Sequence, residues 1–305
     1  MPSLTCVYKT DPIKIQTSMQ SEPQKKVERA AYIFERVESL GIRISPASRL
    51  WQMLRILNTG HIEYNDVRFP IALEAIKDLH HLGLIVDEMD AHRNDERFVA
   101  NVRKMLLDAA TPQDVNSNTP GRDTQFELYL AAVALRAGMS PVEYEEPDVT
   151  CNVEGIKFGI AAKRLKSLDR FEERVTQGAK QIRRANFPGI IACDLTIARN
   201  PENRPITSSI QSQLSIITGM AKNRQLFERH EQNIHKWVAN AGVRALLVFE
   251  FTYRMSPGSN SWIHEGMICW FPTTENNESA ASELSAFQRQ FLKGVPNLND
   301  ITEAS

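Results

Sequence analysis

The chain predicts an α/β fold, a mixed sheet flanked by helices, preceded by an N-terminal helical domain. Three observations carry this. From Pro23 to about Leu107 apolar residues recur with helical spacing. A stretch rich in Pro, Asn, Ser, Thr and Gly, from Thr111 to Arg122, then breaks the pattern. Beyond it helices alternate with strands, and the runs Ile190–Ile197 and Ala245–Phe251 are nearly continuously apolar, as strands covered on both faces must be.

The elements follow in order. Residues 1–22 are polar and aperiodic and read as a flexible arm. Val27, Ala30, Ala31, Ile33, Phe34, Val37 and Leu40 form the stripe of a first helix, with Gly41 as its C-terminal stop. Ser45-Pro46 predicts the start of a second helix through Leu50, Trp51, Leu54 and Leu57, which Thr59-Gly60 ends. A third helix is expected over about 69–84, an acidic loop over 87–96 and a fourth helix over about 97–109. The helical domain thus occupies 23–110 and a linker 111–122. A helix from Asp123 stops at Gly138, and strands follow at about 142–145, 148–153 and 157–163, the last two joined by a tight turn at Glu154-Gly155. A helix over 168–185, the strand at 190–197, a long helix over 208–241, the strand at 245–251, an outer strand over 261–271 and a helix over 280–292 complete a domain spanning 123–295, with a tail at 296–305.

Composition narrows the function classes. The 305 residues carry a net charge of −1, so any nucleic-acid surface must come from local clustering of Lys and Arg. No apolar run reaches the ~18 residues of a membrane span, and the first residues lack a signal pattern. Cys6, Cys151, Cys193 and Cys269 lie far apart without a CxxC pair, which reads as free thiols in a reducing cytoplasm. His230 and His235 are badly spaced for two ligands on one helix face and receive no metal. Trp262, His264 and Trp270 share a strand face, either a stacking surface or core.

Chemistry concentrates between Glu127 and Gln181. Glu127 is a helical acid, Asp148 follows Pro147 at a strand start, Lys163 lies across a hairpin, and Gln181 is on the next helix. Phosphodiester hydrolysis needs an activated water and neutralised phosphate charge. Carboxylates holding a hard divalent ion and a lysine that orients or deprotonates the water supply both. Strand alternation puts Ala161 and Lys163 on one face, so a carboxylate at 161 would share the lysine's site. Each residue also has a bland reading: Glu127 as a solvated helix acid, Asp148 as a turn residue, Lys163 as a strand-edge guard, Gln181 as a helix former.

Pro147-Asp148 followed by Ala161-Ala162-Lys163, with Glu127 before and Gln181 after, resembles the PD-(D/E)xK nuclease superfamily over about residues 121–200. The resemblance implies a restriction-endonuclease-like core and cleavage of DNA, less often RNA, with Mg or Mn as cofactor. Asp148, Lys163, Glu127 and Gln181 fill the catalytic positions, and Glu127, Asp148 and the Ala162 carbonyl hold the metal. Ala161 departs from the pattern, standing where the second strand acid belongs. It therefore leaves open a natural loss compensated by Glu127, an engineered inactivation, or a degenerate, non-catalytic nucleic-acid-binding or interaction protein. Arg164, Lys166, Arg170, Arg174, Lys180 and Arg184 follow the motif as a basic tract, either phosphate-binding or a solvated helix face. The expected partner is nucleic acid, and the helical domain is a candidate for dimerisation or for a protein partner.

Overall fold

The computed structural model describes residues 5–8, 23–59, 62, 66–108, 119–207, 212–255, 262–273 and 277–296. It is an α/β protein built on one mixed sheet. A short strand, β1 (Thr5–Tyr8), precedes four helices: α1 (Pro23–Glu38), α2 (Arg49–Asn58), α3 (Phe69–Asp87) and α4 (Glu96–Met105). Then come α5 (Pro120–Arg136), the hairpin β2 (Val149–Val153) and β3 (Ile156–Arg164), α6 (Phe171–Ala185) and β4 (Gly189–Asp194). A short helix, α7 (Thr196–Arg199), and β5 (Ile206–Thr207) lead to α8 (Ser212–Val238), β6 (Val243–Met255), β7 (Trp262–Pro272) and α9 (Glu278–Gly294).

The seven strands run in the order β1-β7-β6-β4-β3-β2, with β5 beside β6. β3, β4 and β6 are mutually parallel, while β2 pairs β3 and β7 pairs β6 in antiparallel register. Alternation divides the sheet into two apolar layers. Ile160, Ile190, Ala192, Leu247 and Trp270 face a core completed by α1–α5 and α9. Ala161, Ile191, Cys193, Leu246 and Cys269 face a second core closed by α6 and α8. Both faces of the central strands are therefore covered, which is why their sequences read as apolar runs.

Several boundaries differ from expectation for local reasons. Thr5–Tyr8 of the supposed arm pairs with β7, so β7 is not the outermost strand. Ser45 spends its hydroxyl on the Ala47 N–H, and the cap of α2 is Ser48, which accepts from Trp51 N at 3.3 Å. Pro120 opens α5 within the expected linker, and residues 109–118 of that linker lie outside the described residues. The strand expected at 142–145 is reduced to one bridge, Glu143 to Thr150, because Pro141 and Pro147 on either side offer no N–H to a ladder. β4 ends at Asp194 rather than 197, since the Asp194 carboxylate accepts from Thr196 N at 2.9 Å and turns the chain into α7. The loop at 87–96 folds into a 3₁₀ turn held by Arg29–Asp87 and Arg36–Asp90 pairs.

Among the described residues no helix is long and apolar enough to cross a membrane. Cys151, Cys193 and Cys269 are buried free thiols, and burial pushes Cys151 and Cys193 up to about 12. Trp270 is fully buried against Phe287 and Phe291 and is core, not a stacking surface; the side chains of Trp262 and His264 lie outside the described residues. His230 packs its ring against Phe171 and Trp237.

Candidate active site

The candidate site lies at the rim of the sheet, where β3 ends between α5 on one face and α6 on the other. Gly159 lets β3 pass under the turn before β2: a Cβ there would sit 2.7 Å from Pro147 Cδ and 2.8 Å from the Phe187 ring. Pro147 is thereby fixed, and with it Asp148. Lys163, three residues up the strand from Ile160, emerges on the α6 side.

Asp148 is the hub. Its Oδ2 accepts from the backbone N–H of Ala162 and from Lys163 Nζ, both at 2.8 Å, and its Oδ1 accepts from Gln181 Nε2 at 2.9 Å. Gln181 Nε2 also donates to the Pro147 carbonyl at 2.5 Å. Lys163 Nζ donates a second bond to Ala162 O at 2.8 Å, which leaves one of its three N–H donors uncommitted. A carboxylate offers about four lone-pair sites, so Asp148 retains one, on Oδ1. This unit is nearly dry: the side chains of Lys163 and Asp148 are 10% and 16% exposed.

Glu127 enters from α5. It is half-buried and makes no hydrogen bond or ion pair with any described residue. Burial, reinforced by the Asp148 charge, raises its carboxyl to about 7. Glu127, Ala162, Lys163 and Gln181 line one cleft of ≈ 370 Å³, whose walls include Arg164, Arg174, Lys180 and Arg184. Asp148 sits one hydrogen bond behind three of those lining residues, Ala162, Lys163 and Gln181.

Ala161 is not among the lining residues. It is fully buried in the α6-side core, and a Cβ placed on Gly178 of α6 would lie 3.4 Å from its own Cβ. The position shares the α6 face with Lys163, as the alternation requires, and helix and strand meet there alanine to glycine.

The basic tract divides. Arg174, Lys180 and Arg184 line the cleft. Arg164 also lines the cleft, with a side chain only 7% exposed whose Nε donates to Asp194 Oδ2 at 3.1 Å. Arg170 is exposed and pairs with Glu173, and Arg184 pairs with Glu146 on the surface. Neither Lys166 nor Arg170 lines the cleft. Asp123 and Gln177 also line the cleft, and Asp194 lies behind Arg164. Asp123 was legible only as a first-turn acid, and Asp194 only as an acid closing an apolar strand.

The chemistry of the donor set can be tested for a divalent ion. Among the described residues no three His, Cys, Asp or Glu side chains gather as a metal cage. The oxygens available are the Glu127 carboxylate in the cleft, the Asp148 carboxylate behind it, whose charge reaches Glu127, the Ala162 carbonyl, and Gln181 Oε1, a buried acceptor with no hydrogen-bond partner. All are hard oxygens, and one or two carboxylates suffice for Mg²⁺, which keeps much of its water. The unpaired acid beside a second acid and the orphaned amide oxygen both fit a cation. Comparison with known protein families, curated proteins and solved structures finds no match to this chain.

Proposed function

We propose that this chain is a Mg²⁺- or Mn²⁺-dependent nuclease with a restriction-endonuclease-like core, hydrolysing phosphodiester bonds in DNA. One observation carries the reading. The hydrogen-bonded unit of Asp148, Ala162, Lys163 and Gln181 converges with the unpaired Glu127 on a cleft walled by arginine and lysine. An acid held near neutrality beside a fixed lysine, in a concave site, is an arrangement that a merely structural ion pair does not need.

Glu127, Asp148 and the Ala162 carbonyl would hold the ion, which supplies charge neutralisation on the phosphate and a more acidic water. Gln181 fixes the Asp148 carboxylate from the side opposite Lys163. The uncommitted Lys163 N–H orients the attacking water or a phosphate oxygen. Arg174, Lys180 and Arg184 track the backbone. In this reading Glu127 replaces the carboxylate missing at 161. A cytoplasmic setting is consistent with the buried free thiols. The helices α1–α4 remain the place for a protein partner or a second copy.

A second reading, a non-catalytic nucleic-acid-binding protein on a degenerate nuclease fold, is favoured by the alanine at 161, which leaves that strand position without a carboxylate. Plasmid nicking with Mg²⁺ and Mn²⁺ separates the two. The nuclease reading expects metal-dependent cleavage by the chain as it stands, abolished in Lys163→Ala with binding largely retained. Binding without cleavage under either ion, together with cleavage by Ala161→Glu, would establish the second reading.

A further inference from the structure

We propose that Arg164 and Arg174 form a seat for a single phosphate group beside the catalytic unit, and that Asp123 occupies this seat until a phosphate displaces it. The idea deepens the phosphodiester reading of the same cleft.

Arg164 is unusual among the cleft residues. Its guanidinium is anchored from behind, Nε to Asp194 Oδ2 at 3.1 Å, and its side chain is 7% exposed. Its Nη1 is buried without a hydrogen-bond partner, yet the residue lines the cleft. The closest acid on the open side is Asp123, with Oδ1 at 3.8 Å from Nη1, within ion-pair reach but beyond hydrogen-bond distance. A buried guanidinium N–H left unbonded is costly, and a partner at that distance does not satisfy it.

Asp123 behaves as an incomplete substitute. It stands in the first turn of α5 and its side chain is 44% exposed. Burial raises its carboxyl, and Asp108 adds to this, while the charges of Arg164, Arg174 and Lys166 oppose it, so the carboxylate is poorly accommodated among three cations. Arg174 also lines the cleft and bonds only Gln177 Oε1, at 3.2 Å, among the described residues. A tetrahedral phosphate reaches further than a carboxylate on a short stem. It offers oxygens to Arg164 Nη1 and to Arg174 at once, and Arg is suited to such paired recognition. Because Arg164 and Lys163 line the same cleft, a phosphate in the seat lies in the cleft that the catalytic unit addresses. The seat accepts either a phosphate within a strand or a terminal phosphate.

The experiment measures binding of short labelled oligonucleotides to the full chain in EDTA, so neither metal nor cleavage is needed and its failure is separate from failure of the nuclease reading. Asp123→Asn, which removes the occupant, is expected to tighten binding about fivefold, whereas Glu172→Gln, an exposed acid outside the cleft, leaves it unchanged. Arg174→Gln and Arg164→Lys are expected to weaken binding about fivefold; the lysine keeps a charge against Asp194 but loses the fork. Inorganic phosphate should compete more strongly in the Asp123→Asn protein. A preference for 5′-phosphorylated over 5′-hydroxyl oligonucleotide, lost in Arg164→Lys, assigns the seat to a terminal phosphate; equal binding assigns it to an internal one. Equal tightening by Asp123→Asn and Glu172→Gln, or no tightening by Asp123→Asn in a protein with an unchanged melting curve, overturns the proposal.

Discussion

Glu127 carries the argument at the scale of one residue. Its carboxyl titrates near 7 in the folded chain against an ordinary 4.5, with burial as the leading cause. Because the folded value is raised, stability is intact below about 4.5 and declines as pH rises through about 7, when a charge must form in a half-buried place. The full effect is at most ~3 kcal/mol. Glu127→Gln should therefore raise the melting temperature at pH 8 and change it little at pH 4. Calorimetry at the two pH values checks this, and a lowered melting temperature at pH 8 would show that Glu127 has a stabilising partner. A residue whose removal stabilises the protein while ending its activity is the usual mark of a functional site. Much of this was legible in the sequence, since Lys163, Glu127 and Gln181 fall on the elements expected of them and Asp148 lies one residue before the strand it was expected to open. The roles of Arg164 and Asp194 were not. Both acquire their environment from pairing across neighbouring strands, Arg164 opposite Asp194, which no local pattern encodes.

At the scale of elements, the site depends on how closely β3 approaches its neighbours. Gly159 has no room for a methyl group between Pro147 and Phe187, and Gly178 admits α6 against Ile191 and Ala161. Gly159→Ala should cost about 1–3 kcal/mol by overpacking, because the nearest atoms belong to a proline ring and an aromatic ring with little freedom to move. It should also displace Asp148 and lower cleavage more than oligonucleotide binding. Chemical denaturation and the two assays test this together; unchanged stability would mean the Pro147 turn is softer than its packing indicates. The helices and buried strands were readable because periodicity and apolar runs report burial directly. The strand ends were not. Asp194 and Ser48 redirect the backbone with their side chains, and the pairing of Thr5–Tyr8 with β7 is a long-range contact.

Across the whole molecule, α2, α3, α4 and α5 are tied together by a buried polar network. Arg49 binds Asp78 at 3.1 Å and the Met105 carbonyl at 2.6 Å, Glu74 pairs with Lys77 and Arg122, and Gln125 of α5 donates to Asp78 at 3.0 Å. Arg49 and Asp78 are 2% and 1% exposed, so Asp78→Ala strands a buried guanidinium and should cost roughly 3–5 kcal/mol. Replacing both, as Arg49→Met with Asp78→Leu, should cost far less. A double variant no more stable than Asp78→Ala would show that the pair itself, rather than the avoidance of a lone charge, holds these helices in place. The same region makes the fold sensitive to acid. Burial holds His81 down to about 4, stacked on Tyr129, so the unfolded chain gains protons below about 6.5 that the folded one refuses. None of this was visible from periodicity, which registers apolar burial and says nothing about which charges are buried with it.

On the proposed function, Glu127 would supply the carboxylate that Ala161 does not, and the chain would cleave DNA. The most direct measurement is single-turnover cleavage of a supercoiled plasmid in Mg²⁺ by the unaltered chain and by Glu127→Gln, with binding recorded in parallel. Metal-dependent nicking by the unaltered chain is expected, with a loss on the order of 100-fold or more in Glu127→Gln and oligonucleotide binding retained. Equal cleavage by both proteins, or none by either alongside cleavage by Ala161→Glu, would contradict it.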